Sequence, residues 1–588
     1  MRRWWNGDAR RTVGLLAVMT TLVAVAGCSD DDDSAATTTA AAGAAATTVA
    51  TSAAPAGGAA PPTTAPGGLP KKPTTPVPPL LDEAKVQHAV DSLDDIAGNV
   101  MDETGVPGIA VAVVYKDEVI FAKGYGVRKV GEPELVDADT VFQVASVSKP
   151  VATTVIAGVV GDEQANWTAP VKTWNPDFKL KDPYVTDNAA LQDLLSHRSG
   201  LPNGGGDLLE DLGWDREYIL GKLDQLPLHP FRAVYDYSNF GITEGGVAAA
   251  DAVGVSWEDL ADSVLFDRIG MDNSSYRHAD YQAREDKAFI HVPVGAEGSK
   301  QWEAKYVRDA DAEAPAGGLS TSVNDMAKFM RLELGDGTFE GTEIIDAAAL
   351  QQTHLPHQEL HPLPTDPAVR TGFYGLGWNI SYDDDGRVKL DHSGAFNLGA
   401  GTTVSLLPGE DLGIVTLTNG QPHGYPEAIN NTFFDVATHG AQTVDWLAYY
   451  AGAFQGFYAG AAANTQQWGT PPADPQAAAA DSAYVGTYQN PYYGTLTVAA
   501  NGDSLSMTMG PADTPTTFAL RHFDGNTFTY ETIGENGVGP SNAVFDVGSN
   551  GVASSVELPF YGHLPDTTEA SDAPDTEVEA GLGTFTRQ

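Results

Sequence analysis

Two β-rich segments stand at opposite ends of one long stretch of chain, and the fold must account for both. The first, GIAVAVVYKDEVIFAKGYGVRK (108–129), reads as two strand-like runs joined by a short turn at Lys116 and Asp117. The second, residues 374–420, opens YGLGW and reads as four strands separated by turns that include DDDG and PGED. Between them lie mixed helical and loop segments. An early hairpin and a late meander with helices between predict an α+β domain whose antiparallel sheet brings the two ends of the stretch together.

The flanks are of other kinds. Residues 82–105, DEAKVQHAVDSLDDIAGNVMDETG, carry apolar side chains at helical spacing and stop at Gly105 to Pro107. Residues 29–80 are built from Ala, Thr, Pro and Gly with almost no large apolar side chain, so burial cannot offset the entropy of ordering them. They read as a disordered tether. Before them, Arg2, Arg3, Arg10 and Arg11 precede the apolar run VGLLAVMTTLVAVAG, too short for a comfortable membrane span and ending in small residues, as an export signal does. VAGC (25–28) resembles the lipobox of bacterial lipoproteins, which implies cleavage before Cys28, acylation of that residue and a place on the outer side of the cytoplasmic membrane. The expected organisation is therefore a signal peptide over 1–28, the tether over 29–80, and the α+β domain over 81–446. A helix end and linker follow over 447–482, then a small all-β domain over 483–588 with Asn-Gly and Asp-Gly turns.

Composition narrows the partners. With a formal net charge of -45 the surface repels phosphate backbones, so nucleic acid is not expected. The one cysteine leaves no intrachain disulfide and no cysteine-based metal site.

The chemistry rests on three short motifs. In VFQVASVSKP, Ser146 and Lys149 are three apart at the start of an apolar stretch long enough for a buried helix, with Pro150 in its first turn. A serine hydroxyl needs a base, and an amine serves if burial lowers its pKa. Lys149 is the only lysine with a serine three residues before it. In YDYSNFG, Tyr237 and Asn239 can aim a phenol and an amide at one point. In LDHSGAFNLG, His392, Ser393 and Gly394 fall on an expected strand, where a glycine admits close approach of a ligand.

In that order and spacing the set resembles the serine β-lactamase and penicillin-binding-protein superfamily. It is most similar to the class C branch with its esterase and D-stereospecific peptidase relatives. LQDLLSHRSGLP, APAGGLSTSVNDMAKFM and YGLGW are similar too, and the resemblance covers about residues 85–445. It implies that Ser146 is the acylated nucleophile, Lys149 its base, and Tyr237 a partner base and acid. Asn239, His392, Ser393 and Gly394 would bind substrate, and the N–H groups of Ser146 and Ala395 would form the oxyanion hole. The resemblance implies a small-molecule or short-peptide substrate, cell-wall-derived peptide among them, and no cofactor. His392 stands where the family carries a lysine. A histidine is largely neutral above its usual pKa near 6.5, so a substrate carboxylate loses its fixed counter-charge and weak or absent β-lactamase activity is expected.

Three other readings compete. No GxSxG occurs, which removes the α/β-hydrolase elbow. His354, His357 and His361 cluster in HLPHQELHPLP, but Pro356 and Pro362 break any helix that would present them to a metal, and none is expected. A non-catalytic module capturing cell-wall peptide or a signalling ligand would have no need to keep Ser146, Lys149, Tyr237 and Asn239 together.

Overall fold

A computed structural model describes residues 80–295, 298–360, 369–383, 385–502, 504–562 and 582–588. The expected leader, Cys28 and most of the tether lie outside these residues. Among the described residues no helix is long and apolar enough to cross a membrane.

The hairpin forms as expected, with β1 (Gly108–Tyr115) and β2 (Glu118–Gly126) joined through Lys116 and Asp117 at φ 51° and 61°. Two successive left-handed residues make the tight connection whose twist suits a two-residue hairpin. The meander supplies β5 (Asn379–Tyr382), β6 (Val388–Phe396), β7 (Ala400–Leu407) and β8 (Leu412–Thr418). Two short strands precede it, the edge strand β3 (Gln358–Glu359) and β4 (Phe373–Tyr374). The sheet runs β2-β1-β8-β7-β6-β5-β4-β3, and β1 pairs antiparallel with β8, Ile109 opposite Thr418.

β1 is paired on both edges and buried on both faces by the cores that pack against it, which explains its unbroken apolar run. Ile109, Val111 and Val113 pack with α1 (Glu83–Asp91), α2 (Leu93–Thr104) and α6 (Tyr425–His439). Ala110, Ala112 and Val114 face the larger core containing α3 (Ser148–Gly161), α4 (Asn239–Val253) and α5 (Val323–Leu334). A period of two thus assigns the strand's residues to two cores. The single helix expected over 82–105 is broken at Ser92, whose hydroxyl donates to His88 O.

The C-terminal segment closes into an eight-stranded barrel, β9 (Gly486–Asn490) through β16 (Thr584–Arg587) in sequence order. It docks on the α+β domain. Trp214 and Tyr218 stack at 3.6 Å between ring centroids, Tyr218 donates to Tyr492 O at 3.2 Å, and Lys222 Nζ donates to Pro491 O at 2.9 Å. The stretch read as helix end and linker holds α7 (Trp446–Trp468), of which Tyr450, Ala453 and Phe454 reach the catalytic cleft. The fold is mixed helix and sheet with an added all-β domain.

Candidate active site

Ser146 sits on a 3-10 turn, Ala145–Val147, that feeds directly into α3. Ala145 holds φ at 48°, a left-handed strain unusual for a residue with a Cβ, and this sharp turn presents Ser146 at the cleft while α3 is buried behind it. Lys149, on the first turn of α3, is fully buried. Its Nζ lies 3.0 Å from Ser146 Oγ, 2.8 Å from Asn239 Oδ1 and 3.0 Å from Ala316 O. Asn239 opens α4, whose N-terminus is capped by Ser238 Oγ accepting from Gly241 N, and Asn239 Nδ2 donates to Asp207 at 3.3 Å. The Tyr237 hydroxyl donates to Ser146 Oγ at 2.8 Å, and Lys149 Nζ lies 4.6 Å from the centre of the Tyr237 ring.

Burial decides the protonation states. It pushes Lys149 down to about 7, against the carboxylates of Glu313 and Asp207 that pull it up. Burial likewise holds Tyr237 well above the usual phenol value, so the group facing Ser146 is a neutral phenol. Desolvation therefore outweighs the proton-sharing expected of a tyrosine beside an ammonium, and the phenol donates to Ser146 Oγ.

Strand β6 forms the opposite wall. A Cβ on Gly394 would lie 2.1 Å from Val144 O, 2.5 Å from Thr402 Oγ1 and 3.0 Å from Ser146 N, so only glycine lets the strand approach the turn that carries Ser146. Thr402 Oγ1 donates to Val144 O at 2.7 Å and ties the neighbouring strand to that turn. Ser393, Gly394 and Ala395 line the cavity with Ser146, Tyr237 and Asn239.

His392 lies beneath the wall rather than on it, which differs from a substrate-facing residue. It is fully buried, with Nε2 3.0 Å from the Tyr374 hydroxyl and Nδ1 2.8 Å from Ser393 O. Desolvation and the charge of Lys149 push it down to about 3, so the ring is neutral. His197, at φ 57°, accepts from Ser238 N through Nδ1 at 3.0 Å and packs on Tyr237 with ring centroids 4.4 Å apart. It positions the tyrosine loop, and sequence reasoning quoted its segment without singling it out. Sequence reasoning also missed Asp207, Glu210, Arg308 and Glu313, and Glu535 and Asn536 of the barrel, all of which line the cavity.

The histidine cluster does not assemble among the described residues. His354 Nε2 meets Glu333 Oε2 at 2.8 Å, His357 Nε2 meets Gln352 O at 3.1 Å, and His361 lies outside them.

Comparison with known proteins gives the same picture of the fold. A family model described as Beta-lactamase matches residues 93–435, and one described as Domain of unknown function (DUF3471) matches residues 470–577. The chain is 25% identical over 495 residues to Unguisins hydrolase ungD of Aspergillus violaceofuscus, spanning 78% of this chain and 86% of that one. It is 28% identical over 326 residues to Penicillin-binding protein 4 of Amycolatopsis lactamdurans, spanning 54% of this chain and 82% of that one. Among solved structures it resembles the octameric penicillin-binding protein homologue from Pyrococcus abyssi, with a TM-score of 0.51 at 19% identity over 80% of this chain and 98% of that one. With the first of these models covering more than half of its length, the chain belongs to the β-lactamase and penicillin-binding-protein superfamily of serine hydrolases, with an added C-terminal barrel.

Proposed function

We propose that the protein hydrolyses esters or amides, including short peptides, through an acyl-enzyme on Ser146, as a class C-like member of the superfamily and not as an efficient β-lactamase. The observation that carries this reading is the approach of Lys149 Nζ and the Tyr237 hydroxyl to one oxygen, Ser146 Oγ, at 3.0 and 2.8 Å. Two of the three hydrogen-bonding directions at Nζ are taken by fixed acceptors, Asn239 Oδ1 and Ala316 O. A neutral amine donating to both leaves its lone pair toward Ser146, ready to accept the hydroxyl proton as Oγ attacks a carbonyl. The N–H groups of Ser146 and Ala395 receive the developing oxyanion. On this reading the neutral phenol of Tyr237 passes a proton to the leaving group and recovers it from protonated Lys149. Water then attacks the acyl-enzyme with the same groups acting in reverse, releasing the acid and restoring Ser146.

The reading against β-lactams rests on charge. Among the described lining residues Arg308 is the only Lys or Arg, and it is ion-paired to Glu210 at 2.7 Å and Glu313 at 2.8 Å. With His392 buried and neutral, a β-lactam carboxylate meets no unpaired cation.

Incubation with a fluorescent fluorophosphonate and, separately, a fluorescent penicillin tests the reading. The expected result is fluorophosphonate label on Ser146, lost in Ser146→Ala, with little penicillin label. Absence of label on the folded protein together with no cleavage of p-nitrophenyl acetate would reject it.

Export and tethering at Cys28 are proposed from sequence alone. Radiolabelled palmitate is expected to enter the protein in a bacterial host and to be lost in Cys28→Ser; equal incorporation by both removes the proposal.

A further inference from the structure

The cleft is a narrow cavity of about 80 Å³, room for roughly five or six water-sized groups beside Ser146. Five carboxylates line it: Asp207, Glu210, Glu313, Glu427 and Glu535. Arg308 is consumed by two of them and lies over the Phe396 ring at 5.0 Å. Three oxygens remain buried with no hydrogen-bond partner among the described residues: Asp207 Oδ1, Glu210 Oε1 and Glu427 Oε2. The side chain of Glu210 is 6% exposed and Glu427 is 9% exposed, so water does not solvate them as it would at a surface.

One of the five comes from the other domain. Glu535 sits on the barrel loop 532–539 and accepts from the backbone of Asn397 and, at 3.4 Å, of Leu398, at the end of β6. The loop is pinned from the catalytic domain by Asp211, which accepts from Glu535 N at 2.7 Å and from Asn536 N and Nδ2 at 3.1 and 3.0 Å. Gly534, at φ 80°, permits this, since a Cβ there would lie 2.0 Å from Asp211 Oδ1. A substrate laid along β6 therefore runs into a fixed acidic stop rather than open groove.

Burial is the largest influence on Glu535 and Glu427 and pushes them up to about 8 and about 7, against Arg308 and the N–H groups of Asn397 and Leu398 at Glu535 and against Ser393 at Glu427. Among the described residues no three His, Cys, Asp or Glu side chains converge as a metal ion requires. A ligand that brings a positive charge and its own N–H donors would draw these carboxyls back into their ionised form.

We infer that this acid-lined end, closed by Glu535 of the barrel, is a subsite for a substrate ammonium group, so that the enzyme selects acyl donors carrying a free amine. The inference rests on the hydrolase reading of the same cavity. An α-ammonium beside the scissile carbonyl and a side-chain ammonium share this chemistry, and matched substrates separate them.

The test compares kcat/KM for alanine p-nitroanilide against N-acetylalanine p-nitroanilide, in both enantiomers, and for Nα-acetyl-lysine p-nitroanilide against Nα-acetyl-norleucine p-nitroanilide. The cationic member of at least one pair is expected to be at least ~10-fold better, the first pair marking an α-amine and the second a side-chain amine. In Glu535→Gln that preference ratio is expected to fall by ~10-fold. A measurement free of variants accompanies it: propylamine is expected to inhibit p-nitrophenyl acetate cleavage by the native protein competitively, and propionate is not. If Ser146 is acylated by p-nitrophenyl acetate while neither pair shows a preference, or propionate inhibits as well as propylamine, the subsite is rejected and the hydrolase reading stands. If Ser146 is never acylated, both fall.

Discussion

Lys149→Ala is expected to lower kcat/KM for p-nitrophenyl acetate by ~10³-fold or more, because no other amine lies within reach of Ser146 Oγ among the described hydrogen bonds. Lys149→Arg is expected to fail equally, since a guanidinium cannot give up its proton to become a base. The pH profile separates this role from a purely structural one. Burial is the largest influence on Lys149 and lowers it to about 7, while Glu313 and Asp207 oppose the shift. As pH falls through that value the amine protonates and its lone pair is lost, so acylation slows; above it the rate levels. A profile flat between about pH 5 and 9 would exclude Lys149 as the base. The same shift has a stability sign. An unfolded chain holds this proton up to the ordinary lysine value of 10.5, so between about 7 and 10.5 the unfolded state binds more protons, and stability from this residue rises with pH across that window.

Gly394→Ala is expected to reduce kcat by ~10²-fold, the loss associated with one misplaced oxyanion donor. The added Cβ would overlap Val144 O, Thr402 Oγ1 and Ser146 N at 2.1, 2.5 and 3.0 Å, and two of these three are backbone atoms. Relief requires β6 to move from the nucleophile turn, which separates the N–H groups of Ser146 and Ala395. Overpacking of this kind is also expected to cost ~1–3 kcal/mol, measurable by urea unfolding. A variant with undiminished kcat would show that the contact between β6 and the turn does not organise the site.

Much of the catalytic centre was legible because its chemistry is encoded locally. Ser146 and Lys149 lie on one turn and the start of the helix it feeds, Tyr237 and Asn239 at one helix start, and the three-residue run His392 to Gly394 on one strand, each short enough to read without knowing the fold. The hairpin at Lys116 and Asp117 was legible for the same reason. The acidic wall was not. Asp207, Glu313, Glu427 and Glu535 sit in four distant segments, each charge unremarkable where it stands, and only docking of the barrel and closure of the sheet bring them to one cavity. The barrel looked chemically blank because its contribution is one loop rather than a motif. His392 was placed correctly on a strand, but whether a strand residue meets ligand or lies behind it depends on what packs there. Here Tyr374 lies behind it, brought by a two-residue strand with too little pattern to announce itself.

The pairing of Ile109 with Thr418 has a consequence for biosynthesis. The interior strand β1 is made early but cannot acquire its partner β8 until the ribosome has passed residue 418, and closing so long a loop is entropically slow. The apolar run of β1 thus waits with one edge unpaired while the intervening chain emerges, a state open to aggregation and to chaperone capture. If the chain is exported, that delay keeps it threadable during translocation. It also leaves the two ends of the catalytic domain side by side, so joining them and opening new termini in an exposed loop should give a permuted protein that folds sooner, at the expense of the slow closure that suits passage across a membrane.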